Sequence, residues 1–165
     1  MLIDSNMWCF YFNDSSKENN KVSQAIEEAL TNQQILSNSV VLMEVSHFLV
    51  KNLGPRIGKE KIDVLLSFPM TVLDVDFTLM KHSIDILCDY SHTGIGGRDA
   101  TLLATLKRTG TNKIMTSDGA FKKIDWVEVF DPLEETKTKA NGKKKHKTPL
   151  EKDWDNKHDE RWNKE

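Results

Sequence analysis

The chain has 165 residues, of which 38% are hydrophobic and 29% charged, and its formal net charge is −2. That length suits one buried core plus an extension. No stretch approaches the roughly 20 apolar residues of a membrane span, "MLIDSNMWCF" lacks the basic flank and unbroken apolar run of a secretory leader, and Cys9 and Cys88 show no metal-ligand spacing.

The average conceals a split. Residues 1–130 hold 13 Lys/Arg and 16 Asp/Glu, a net charge of −3, whereas residues 131–165 hold 10 and 9 with few apolar residues between them. Only the first part can make a core. The expected organisation is a folded domain over 1–131 and a lysine-rich, flexible extension over 132–165. Both cysteines are expected to be reduced core thiols, and the protein cytoplasmic.

In chain order, "MLID" is a short apolar run ending in an acid, consistent with a buried first strand, and "NMWCFYFN" continues as a short helix. Val22, Ala25, Ile26, Ala29 and Leu30 follow at helical spacing. "QILSN" reads as a strand, "SVVLMEVSHFLVKNLG" as a helix ended by Gly54, and "IGKEKIDVLLSFP" as another that ends before Pro69. "MTVLDVD" is a strand. "FTLMKHSIDILCDYS" is amphipathic, with Leu79, Ile84, Leu87 and Cys88 expected to point inward. "RDATLLATLKRTG" is a helix stopped by Gly110, and "NKIMTS" and "WVEVF" are closing strands around "GAFKKI". Alternating strands and helices favour a parallel sheet covered on both faces. The expected fold class is α/β, a three-layer α/β/α sandwich on about five short strands.

Four carboxylates stand out. In an open parallel sheet, ligands collect beyond the carboxyl ends of the strands where strand order reverses. Asp4 follows the first strand and Asp118 follows "KIMTS", so both belong at one edge; Asp99 opens the helix leading into that second strand. Glu44 lies in an apolar helix, with no Lys or Arg three or four residues away. A buried carboxylate is costly unless it is paired or ligates a metal. Each acid has a plainer reading alone: Asp4 ends a strand, Asp118 caps a turn, Asp99 meets a helix dipole, and Glu44 faces a distant Arg. Four converging acids would repel one another without a cation, and oxygen-only ligands specify Mg2+ or Mn2+ rather than zinc. The histidines show no ligand spacing; His47, one turn beyond Glu44, reads as a core or boundary residue.

The order "LIDSN", "LMEVSHFL", "GRDATLLATLKRTG", "IMTSDGAF" resembles the PIN-domain nucleases, especially the VapC-type toxins, over residues 1–131. By position the resemblance assigns Asp4, Glu44, Asp99 and Asp118 as the catalytic and metal-binding acids. Asp4 and Asp99 are the first choices for direct ligands, with Glu44 and Asp118 acting through water. Asn6, Thr116 and Ser117 fall at supporting positions. The resemblance implies Mg2+- or Mn2+-dependent cleavage of single-stranded RNA, a homodimer, and, for a toxin, a cognate antitoxin as partner. Arg98, Lys107, Lys113, Lys122 and Lys123 are candidates for guiding phosphates.

The extension carries six lysines between 137 and 147, then Leu150, Trp154, Arg161 and Trp162 near one face of a short docking helix. Its alternative role is as the working part of a non-catalytic RNA-binding or assembly module. Phosphotransfer folds on similar sheets fit poorly: Asp4-Ser5-Asn6 is not D-x-D, and Asp74 and Asp76 do not sit where a phospho-accepting aspartate belongs.

Overall fold

A computed structural model of the chain describes residues 1–134. The lysine-rich stretch and the expected docking helix lie outside the described residues. The elements in order are β1 (Leu2–Ile3), α1 (Ser5–Tyr11), α2 (Asn19–Asn32), β2 (Ile35–Asn38), α3 (Ser39–Ser67), β3 (Met70–Leu73), α4 (Phe77–Tyr90), α5 (Gly97–Thr109), β4 (Lys113–Met115) and β5 (Glu128–Phe130).

The five strands form one sheet in the order β3-β2-β1-β4-β5, and every pairing is parallel. From β1 the chain steps outward through β2 to β3, then returns past β1 to lay down β4 and β5. Right-handed crossovers in two opposite directions place α1–α3 on one face and α4–α5 on the other. The helix contacts agree, α1 packing on α2 and α3, and α4 on α5. This is the expected three-layer sandwich. β1 and β2 are buried along their whole length, and Ile114 and Met115 of β4 are fully buried.

α3 contains the stop expected at Gly54, in the form of a break inside one long element. Gly54 has φ +79°, a left-handed conformation that costs any residue with a Cβ, and Pro55 begins the next helical segment. Gly58 then allows the two segments to meet, since a Cβ there would lie 2.9 Å from the Val50 Cα.

The inward face of α4 differs from expectation. Leu79, Ser83 and Ile86 are buried, whereas Ile84 is 53% exposed and Cys88 is also exposed. The main neighbour of α4 is α5, and the stripe of α4 that is buried is 79-83-86. Ser83 is tolerated there because its hydroxyl donates to the Leu79 carbonyl at 2.8 Å. Cys9, in contrast, is buried as expected. "GAFKKI" forms only a single 3-10 turn over Phe121–Lys123. His47 is exposed rather than a core residue.

Candidate active site

β1 and β4 are adjacent and in register, Leu2 opposite Ile114 and Ile3 opposite Met115. Strand order reverses between them. The next residues on each strand, Asp4 and Thr116, therefore stand side by side at the carboxyl edge, and the Asp4 N–H donates to the Met115 carbonyl at 3.0 Å.

Thr116 is the hub of this edge. Its hydroxyl donates to Asp4 Oδ2 at 2.7 Å and accepts from the Asp118 backbone N–H at 3.0 Å and from Asn6 Nδ2 at 3.4 Å. Asn6 Nδ2 also donates to Ser117 Oγ at 3.2 Å. The three supporting positions thus form one network around Asp4. Asn6 Oδ1 is buried, with no hydrogen-bond partner among the described residues, which leaves an acceptor oxygen beside the acids.

Every acid has a local duty as well. Asp4 caps α1 through the Ser5 N–H at 2.6 Å. Asp99, in the first turn of α5, accepts the Gly96 N–H at 2.7 Å. Asp118 accepts the Ala120 N–H at 2.8 Å, closing a turn. Glu44, on the second turn of α3, takes Arg98 Nη1 at 2.6 Å. Each of these bonds leaves its carboxylate further lone pairs.

The electrostatics place the acids in one another's fields. Burial pushes the Asp4 carboxyl up to about 7; the Asp99 and Glu44 charges add to this, and the Thr116 and Ser5 hydrogen bonds oppose it. Burial likewise raises Asp99 to about 6, against the Gly96 N–H and Arg98, with Asp118 and Glu44 pushing it further up. Burial and the same Asp4 and Glu44 charges raise the Cys9 thiol, a neighbour of the site that its apolar sequence surroundings did not mark. Like charges held together in this way favour protonation or a cation.

The donors suit a hard divalent ion: they are carboxylate oxygens, with an unpartnered amide oxygen beside them. As placed, no three His, Cys, Asp or Glu side chains among the described residues stand close enough to hold an ion together. Their oxygens are turned instead to Ser5, Thr116, Gly96, Arg98 and Ala120.

The chain matches the family model described as the PIN domain over residues 1–127. It belongs to the PIN-domain family. A search of curated proteins finds no match. Among solved structures, this PIN domain is similar to the Mycobacterium tuberculosis toxin VapC20, described as cleaving the sarcin-ricin loop. The TM-score is 0.67 at 20% identity, covering 78% of this chain and 97% of that one. Rickettsia felis VapBC2, solved on a promoter DNA fragment, gives 0.63 at 18% identity over 78% and 96%. A Klebsiella pneumoniae toxin-antitoxin complex gives 0.61 at 21% identity over 81% and 98%. These likenesses are of fold.

The expected phosphate-guiding cations divide by position. Lys113 opens β4 at the opposite edge of the sheet and pairs with Glu128 at 3.5 Å. Lys107 lies in the last turn of α5, about two turns from Asp99, with its ammonium 5.2 Å from the Trp126 ring centre. Lys122 pairs with Asp131 and Glu134 at 3.1 and 2.8 Å. Lys123 donates to the Thr93 carbonyl at 2.6 Å, in the loop before α5. Arg98 alone of the five is bonded to one of the four acids. That partnership joins positions 54 residues apart and leaves no trace in local spacing.

Proposed function

We propose that this PIN domain is a divalent-metal-dependent endoribonuclease acting on single-stranded RNA, as the toxin of a toxin–antitoxin pair in the cytoplasm. The observation that carries the reading is the buried Asp4 carboxylate at the switch point of the sheet, held by Thr116, with the Asp99 charge from α5 acting on it. The toxins and toxin–antitoxin complexes among its structural neighbours support the biological role.

Asp4 and Asp99 would hold a Mg2+ or Mn2+ ion directly, with Glu44 and Asp118 behind bound water. When bound, such an ion lowers the pKa of a water and neutralises charge on a phosphodiester. Thr116 fixes Asp4 by donating to Oδ2 while Ser5 donates to Oδ1, so each oxygen keeps one further lone pair for another partner. Asn6 holds Thr116 and Ser117 in place. The negative cluster repels RNA until its charge is offset, so catalysis and metal loading are linked.

A protein partner, either an antitoxin or a second copy in a homodimer, has apolar surface available to it. Phe77, Met80 and Ile84 run along the outer face of α4 and are exposed. No helix among the described residues is long and apolar enough to cross a membrane.

The test is cleavage of a mixed single-stranded RNA panel with Mn2+, Mg2+ or EDTA, beside an Asp4→Asn, Asp99→Asn double variant purified identically. Cuts that need both metal and the parent acids support the reading. Equal cutting by both proteins, or RNA retained without cleavage, removes it in favour of a contaminant or a binding role for the basic extension.

A further inference from the structure

The cation that meets Glu44 in this structure belongs to the chain itself. Arg98 Nη1 lies 2.6 Å from Glu44 Oε1, the length of a strong charge-assisted bond. The Glu44 side chain is only 13% exposed while that of Arg98 is 48% exposed, so the guanidinium closes over the carboxylate from the solvent side. Arg98 also precedes Asp99 in the first turn of α5, and both Arg98 and Glu44 act on the Asp99 carboxyl, in opposite directions. A guanidinium held on Oε1 takes up charge and a lone-pair direction that an ion, or water bound to it, would otherwise use at Glu44.

We propose that Arg98 is an internal counter-ion that competes with the divalent ion and its bound water for Glu44, so that full metal loading requires Arg98 to release it. The inference rests on the metal-site reading above and deepens it: Arg98 is a positioning residue that sets how tightly the site takes its ion. Unmetallated, the pair neutralises one of the four acids. The cost of breaking it is subtracted from the affinity for metal.

The experiment is calorimetric titration of Mn2+ into the full chain and into Arg98→Ala, Glu44→Gln, the double variant and Lys123→Met. Lys123→Met removes another positive charge, anchored on the loop that leads into α5, without touching Glu44. Direct competition predicts roughly tenfold tighter Mn2+ binding by Arg98→Ala, the scale expected from releasing one charge-assisted contact. It predicts less than about twofold tightening by Lys123→Met, and no further tightening by Arg98→Ala in the Glu44→Gln background. Equal tightening by Arg98→Ala and Lys123→Met would reduce Arg98 to a contributor to the general field and overturn the proposal. Unchanged affinity in Arg98→Ala, with the parent binding normally, would overturn it while leaving the metal site intact. Absence of Mn2+ binding by both parent and Arg98→Ala would overturn the metal-site reading itself. If Glu44→Gln abolishes binding, the contrast between Arg98→Ala and Lys123→Met decides.

Discussion

Asp99 accepts the Gly96 N–H at the start of α5 and at the same time stands in the fields of Asp118 and Glu44. An asparagine there keeps an oxygen for the Gly96 N–H and loses the charge. Metal-free Asp99→Asn is therefore expected to melt at least as high as the parent, by roughly 2–4 °C for each kcal/mol of repulsion relieved. A saturating concentration of Mn2+ should stabilise the parent far more than the variant, since ligand binding adds stability in proportion to the logarithm of ligand over Kd. The pH dependence has a definite sign. An unfolded chain releases both protons near the ordinary aspartate value of 3.8, whereas folded Asp99 and Asp4 keep theirs to about 6 and about 7. Between those values the folded state binds more protons, so the stability from these two acids is complete below about pH 4 and is lost as pH rises through 6 and 7. Melts in EDTA from pH 5 to 8 should show the parent falling more steeply than Asp99→Asn. Parallel curves would remove Asp99 from the coupled cluster.

At the scale of elements, the break in α3 is the feature most sensitive to a single methyl group. A Cβ on Gly58 meets backbone atoms of Val50 and Leu49 at 2.9–3.1 Å, and backbone cannot rotate aside. Gly58→Ala should cost about 1–3 kcal/mol in urea unfolding, whereas Gly97→Ala, with open space around it, should be near neutral. The alternation of strands and helices, and the stop at Gly54, are legible in the sequence because Gly, Pro and apolar periodicity act locally. The face of α4 is not: Ile84 and Cys88 match the apolar pattern, yet the buried stripe contains Ser83, whose hydroxyl is satisfied within its own helix. The same division holds in the candidate site. Asp4, Asp99 and Asp118 sit at junctions that short motifs mark, whereas the Glu44–Arg98 pair spans two helices and arises only when they pack.

For the whole molecule, the sheet and all four acids lie within residues 1–134, and Lys122, in the 3-10 turn before β5, pairs with Asp131 and Glu134 just after it. A chain ending at Glu134 is expected to keep its melting temperature within roughly 2 °C and to retain metal-dependent cleavage. If the six lysines beyond it bind RNA, the truncation should also flatten the dependence of RNA affinity on salt, by up to about 4 in the log–log slope. Loss of the fold on truncation would show that the extension docks on the body.

On the proposed reading, Asp4 and Asp99, at the reversal of strand order, act as one ion-binding unit. Anomalous diffraction from crystals of the full chain soaked in Mn2+ tests it most directly, with Asp4→Asn, Asp99→Asn crystals alongside. A manganese peak is expected between the Asp4 and Asp99 carboxylates in the parent and none in the variant. A peak that persists in the variant, or a parent that binds manganese only elsewhere, would contradict it.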